Sequence, residues 1–175
     1  MRLFLIGYMY CGKSTIGKKL ARMLNYEFLD TDNLVEDLVG KTVEEIFKDK
    51  GETFFREKES EVLEALKKKD NIVVATGGGL PCKNNNISTI KQLGKSIYLI
   101  LTPSQILSRA IKSKRVRPLL ADKNDEEKLN YISDTLKERE SFYKQADISI
   151  SALSLTNFEL EITLKELGFK NLNER

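Results

Sequence analysis

The stretch from Leu3 to Leu24 constrains the fold more than any other part of the chain. A short apolar run, Leu3-Phe4-Leu5-Ile6, leads into Gly7-Tyr8-Met9-Tyr10-Cys11-Gly12-Lys13-Ser14-Thr15. A helical pattern follows, with Ile16, Leu20, Met23 and Leu24 on one face. Strand, glycine loop and helix in this order are the context in which G-x-x-x-x-G-K-[ST] means a phosphate-binding P-loop. The first backbone N–H groups of the helix have no internal partner and carry the positive end of its dipole, so phosphate oxygens suit them. Residues 7–15 are thus expected to hold a nucleotide, with Tyr10, Cys11, Gly12 and Thr15 around its phosphates. Lys13 would reach the β and γ phosphates, and Ser14 would ligate Mg²⁺.

With 175 residues and 41% hydrophobic content, one domain spanning 1–175 is expected. A formal charge of +3, from 29 basic and 26 acidic residues, implies no nucleic-acid or membrane partner. The chain enters a predicted strand directly after Met1-Arg2 and has no membrane-length apolar run, so a cytoplasmic protein is expected. Cys11 and Cys82 make neither a disulfide framework nor a metal pattern. Histidine is absent. A general base must therefore be a carboxylate or a lysine, and Ser-His-Asp and His-metal mechanisms are excluded.

Further along, Tyr26–Leu29 reads as a strand ending at Asp30-Thr31-Asp32. Two carboxylates two residues apart at a strand end can point the same way, one toward a water on Mg²⁺ and the other toward a substrate hydroxyl. They can equally be an N-cap of the helix that runs up to Gly40. Thr42-Val43-Glu44-Glu45 is a capping box for a helix to about Lys50, which Gly51 breaks. A longer helix follows from Glu52 to Lys69, with Glu52, Arg56 and Glu59 on one face. Arg56 is either a solvated ion pair with Glu52 or a guanidinium aimed at a substrate carboxylate.

Ile72–Ala75 has the continuous apolar character of a central parallel strand and stops at Thr76-Gly77-Gly78-Gly79, where close backbone approach to a ligand, with N–H groups facing it, is expected. Residues 83–93 read as a loop and a short helix, 96–101 as a fourth strand, and Thr102-Pro103-Ser104-Gln105 as the start of a helix to about Lys112. The basic, proline-interrupted segment at about 112–124 reads as a mobile lid carrying arginines to a transferring phosphate. A helix from Asp125 to Lys144 follows, then an edge strand at 146–150 and a last helix after a cap at Thr156. Alternating strands and helices give an α/β fold: a three-layer, doubly wound sheet of five parallel strands with helices on both faces, in P-loop NTPase architecture.

Six elements together resemble the shikimate kinase family: GKST at 12–15, Leu29-Asp30-Thr31-Asp32, Phe54-Phe55-Arg56-Glu57, Thr76–Gly79, Val116-Arg117-Pro118-Leu119-Leu120, and Arg139 with Tyr143. The resemblance spans about residues 1–150. It implies ATP-dependent phosphorylation of the 3-hydroxyl of shikimate, a step of chorismate and aromatic amino acid biosynthesis, with Mg²⁺ and as a monomer. Asp32 and Arg56, within substrate-binding helices at about 32–69, would then bind shikimate together with Gly78, flanked by Gly77 and Gly79, and with Arg139. The two arginines would take its carboxylate, and Asp32 would hold its hydroxyls and act on the attacking one. Lys13 and Arg117 would stabilise charge on the γ-phosphoryl, Ser14 would bind Mg²⁺ with Asp30 behind it through water, and Arg109 would lie near the adenine.

The chain departs from the family at Tyr10, where glycine is usual, and at Cys11, where serine is common. If position 10 needs positive φ, a bulky residue there costs roughly 1–2 kcal/mol. Cys11 at a helix start beside Lys13 is expected to favour the thiolate and to make the site sensitive to oxidation. Three other readings compete: a kinase of another small metabolite such as gluconate, a nucleotide-dependent switch, and a non-catalytic relative. Arg56, the triple glycine and Arg139 disfavour the first, and the lack of an N-K-x-D motif disfavours the second. The intact Lys13, Ser14, Asp32 and Arg117 disfavour the third.

Overall fold

The computed structural model describes residues 1–113, Leu120 and residues 123–169. Within them five strands, β1 (Arg2–Ile6), β2 (Glu27–Asp30), β3 (Ile72–Ala75), β4 (Lys95–Ile100) and β5 (Ile148–Ser151), form one sheet in the order β2-β3-β1-β4-β5. Every pairing is parallel. The central strands are apolar because parallel strands with crossover helices are covered on both faces, and Leu3 to Ile6 and Ile72 to Val74 are fully buried. β5 alternates between half-buried and exposed residues, as an edge strand does.

Helix α1 (Lys13–Leu24) turns its Leu20, Ala21 and Leu24 onto the sheet, and α2 (Thr31–Val39) and α3 (Val43–Ala65) form a pair with an apolar centre of Val35, Ile46, Phe55 and Val62. The predicted break at Gly51 is a local kink: φ 79° and ψ 177° interrupt the helical backbone, and the helix resumes beyond it. The predicted helix to Lys69 closes at Ala65 and passes through a 3-10 turn, Leu66–Lys68. Next come α4 (Asn86–Leu93), α5 (Pro103–Lys112), α6 (Asp125–Tyr143) and α7 (Asn157–Glu166). The capping boxes expected at Thr42, Thr102 and Thr156 are formed. The expected lid at about 112–124 falls mostly outside the described residues.

The chain builds the β3-β2 side of β1 first and the β4-β5 side afterwards. In a parallel sheet of this kind, ligands bind beyond the carboxyl ends of the strands near such a reversal. The P-loop leaves β1 there, the Asp30–Asp32 segment leaves β2, and the glycine loop leaves β3.

Candidate active site

These three strand ends open onto a single cleft of about 560 Å³. Its walls include Tyr10, Gly12, Lys13, Ser14, Thr15 and Arg109 together with Asp30, Asp32, Arg56, Gly77, Gly78, Gly79 and Arg139. Phosphate loop and candidate acid pocket are thus continuous.

In the loop, Lys13 Nζ donates to the carbonyls of Gly7 and Tyr8 at 2.8 and 2.7 Å. Ser14 Oγ donates to Asp30 Oδ2 at 2.7 Å, and Asp30 Oδ1 accepts from the Asp32 amide at 3.1 Å. Asp30 is therefore both the N-cap of α2 and the partner of Ser14, so capping does not exclude the functional alternative. Asp30 thus stands directly behind Ser14. A hydroxyl that gives its proton to a carboxylate keeps its lone pairs available, which suits a hard cation taking most of its ligands from phosphates and water. Among the described residues no group of three or more carboxylate, thiol or imidazole side chains could cage a metal alone; Mg²⁺ carried with a nucleotide needs no such cage.

Tyr10 has φ 60°, so its position does demand the left-handed region. Cys11 departs from expectation. Its thiol is 1% exposed, packs in the core and does not line the cleft, and a sulfur so covered lacks the access that oxidation requires. Its carbonyl, at 3.0 Å, and that of Tyr10, at 3.4 Å, accept from Arg109 Nη1, while Arg109 Nη2 donates to the Ala152 carbonyl at 2.7 Å. Arg109 thereby ties the P-loop to the turn after β5.

On the acid side, the ion pair of Arg56 with Glu52 that the spacing offered is formed, with Glu52 57% exposed but Arg56 itself only 14% exposed. Its Nη1 donates to Glu59 Oε2 at 2.6 Å, and Nε and Nη2 donate to Glu52 Oε1 at 3.1 and 3.0 Å. Glu59 is 1% exposed, and burial pushes its carboxyl up to about 7 against the pull of the Arg56 guanidinium, with Asp32 adding to the rise. The glycines let these groups converge. A methyl on Gly77 would lie 2.6 Å from Glu59 Oε1 and 2.8 Å from Asp32 Oδ1, and one on Gly79 would lie 2.7 Å from the Arg56 guanidinium. The Gly77 amide does not face the cleft as expected; it donates to buried Thr31 Oγ1 at 2.8 Å, locking the β3 loop to the β2 end. Arg139 extends over the Tyr8 ring, 5.7 Å from its centroid, and one turn later on α6 the Tyr143 hydroxyl donates to the Gly78 carbonyl at 2.5 Å.

Comparison with known proteins follows the same lines. The shikimate kinase family pattern matches residues 9–163. The chain belongs to the shikimate kinase family. A shikimate kinase of Bacteroides thetaiotaomicron is 38% identical over 168 residues, 95% of this chain and 96% of that protein. The crystal structure of shikimate kinase from that organism superposes with a TM-score of 0.86 at 37% identity, covering 95% of this chain and 96% of that one. Shikimate kinase from Acinetobacter baumannii, solved in complex with shikimate, gives a TM-score of 0.80 at 35% identity over 97% of this chain and 94% of that one.

For a shikimate kinase family member, the cleft brings together every expected site residue among those described except Cys11. Arg117 lies outside the described residues. Sequence reasoning missed Glu59 and Thr31 as site-shaping groups, and Phe47 and Phe55, whose rings meet at 4.8 Å and line the cleft. Glu59 stands three residues after Arg56, a spacing that was visible but read only as an ion-pair face. The inward turn of Phe47 depends on how α3 docks, which no local pattern carries.

Proposed function

We propose that this chain transfers the γ-phosphoryl group of ATP to the 3-hydroxyl of shikimate, giving shikimate 3-phosphate and ADP for chorismate and aromatic amino acid synthesis. The observation that carries the reading is the continuity of one cleft from Lys13 and Ser14 to Asp32, Arg56 and Arg139. Membership of the shikimate kinase family supports it. A small polyhydroxy acid calls for fixed guanidiniums on its carboxylate and a carboxylate on its hydroxyls. Arg56 and Arg139 supply the first, and Asp32 the second, with the Gly77–Gly79 backbone closing the pocket.

In this reading the Asp32 carboxylate accepts the proton of the 3-hydroxyl as that oxygen attacks the γ-phosphorus. The new O–P bond forms as the bond to the bridging β–γ oxygen breaks, and ADP leaves. Phosphoryl transfer demands mainly position and charge stabilisation. Lys13 exchanges the carbonyls of Gly7 and Tyr8 for phosphate oxygens, and Arg117 is proposed to reach the same phosphoryl from a lid at about 112–124. Ser14, backed by Asp30, would hold Mg²⁺, which when bound neutralises phosphate charge. The phosphate cradle is assigned to Tyr10, Cys11, Gly12 and Thr15, and Arg109 to the adenine side. A single kinase domain over 1–175, with acid-binding helices at about 32–69, acts in this proposal as a cytoplasmic monomer on a small molecule, with no nucleic acid or membrane. No helix among the described residues is long and apolar enough to cross a membrane.

The test is ADP release from Mg-ATP with shikimate, gluconate, quinate or no acceptor, beside Asp32→Asn. Release with shikimate, falling by about a hundredfold or more in the variant, is expected. Release with gluconate in its place would overturn the pocket, and none with any acceptor would favour a non-catalytic relative.

A further inference from the structure

Tyr8 belongs to the P-loop segment, yet it does not line the cleft and its side chain packs against Thr135 and Arg139 of α6. Its residue is 1% exposed. The ring faces the Arg139 guanidinium, with Cζ 5.7 Å from the ring centroid. Its buried hydroxyl lies against Thr135 without reaching full hydrogen-bond geometry. Thr135 and Arg139 are four residues apart, so one tyrosine meets two successive turns of the same helix face. Its carbonyl, at the other end of the residue, accepts from Lys13 Nζ at 2.7 Å.

We propose that Tyr8 is a positioning residue for acid recognition: its ring, held from within the phosphate loop, seats the Arg139 guanidinium that binds the substrate carboxylate. The inference rests on the assignment of Arg139 to that carboxylate. Arginine has a long side chain with much rotamer freedom, and a group that must meet a planar carboxylate gains by being held beforehand. An aromatic face does this while leaving the N–H edges of the guanidinium free for the acid, because the cation rests on the π-surface and spends no hydrogen bond there. The Tyr143 hydroxyl, near Arg139 one helical turn on, clamps the Gly78 carbonyl to the same end of α6. Tyr8 and Tyr143 thus bracket Arg139 against the P-loop and the glycine loop respectively. A tyrosine that merely filled the core would not need its ring face toward a charge.

The experiment is steady-state kinetics of ADP release with Mg-ATP, varying shikimate and ATP separately, with thermal melting of each variant. Tyr8→Leu is expected to raise the KM for shikimate by about fivefold or more while leaving the KM for ATP within about twofold. Tyr8→Phe, which keeps the ring, is expected to stay within about twofold for both substrates. A ring-fluorinated phenylalanine at position 8 keeps the shape but drains the ring face of charge. It should reproduce the shikimate effect of Tyr8→Leu, and it reads out the proposal if the leucine variant does not fold. Equal changes in both KM values, an unaltered shikimate KM with the fluorinated ring, or a Tyr8→Phe effect as large as that of leucine would each overturn the proposal. Arg139→Met separates the two levels. If it leaves the shikimate KM unaltered, the assignment of Arg139 has failed; if it raises that KM and the ring variants do not, Tyr8 alone has failed. In the double variant, leucine at position 8 should add nothing to Arg139→Met.

Discussion

Tyr10 holds φ 60° at a loop position that glycine adopts without strain. An L-residue there costs about 1–2 kcal/mol, of which the greater freedom of an unfolded glycine returns about half. Tyr10→Gly is therefore expected to hold or raise thermal stability by up to about 1 kcal/mol and to keep ATP binding; a folded variant without ATP binding would show that the ring itself is needed at the cleft. At Glu59, burial outweighs the adjacent guanidinium and the carboxyl rises to about 7 from 4.5. The folded chain then binds this proton more tightly than the unfolded chain, so the contribution is present below the ordinary carboxylate range and is lost as pH climbs through about 7. Melting temperatures of wild type and Glu59→Gln, compared at about pH 5 and about pH 8, should show wild type losing ground to the variant at the higher pH. Parallel behaviour would contradict the assignment. Neither effect is visible from residue type alone, since one depends on a dihedral and the other on how completely α3 is covered.

At the level of elements, α3 is a helix with a deliberate interruption. Gly51, at φ 79° and ψ 177°, occupies a region open almost only to glycine, and a methyl there would touch nothing within 4 Å. Any cost of Gly51→Ala is therefore one of backbone strain, about 1–3 kcal/mol, and should appear in denaturant unfolding; unchanged unfolding would show that the kink relaxes freely. Most elements were legible in the sequence because their signals are local. The P-loop carries strand, glycines and helix within 22 residues, and the capping boxes at Thr42, Thr102 and Thr156 mark helix starts wherever the chain goes. The signal at Gly51 was equally clear, but a glycine does not say whether a helix ends or bends. That depends on Phe55 and Val62 continuing the buried face begun by Ile46. The Thr31 bond to the Gly77 amide joins residues 46 apart in sequence, beyond any local pattern.

Across the whole molecule, one parallel sheet delivers three strand ends to one cleft, and the chemistry is divided among them. β1 leads to the candidate phosphate-binding groups, β2 to the candidate base Asp32, and β3 to a loop narrow enough for Asp32, Glu59 and Arg56 to meet over it. The triple glycine reads in sequence as an opening for a ligand. In the fold it is first an opening for the protein's own charged side chains, which thereby converge at the cleft. The measurement that tests this account most directly is the phosphorus spectrum of the product made from Mg-ATP and shikimate, with its coupling to ring protons resolved. The account predicts one phosphate monoester coupled to the proton on carbon 3, absent when Asp32→Asn replaces the wild type. A monoester on another carbon, or none formed by folded, ATP-binding protein, would contradict it.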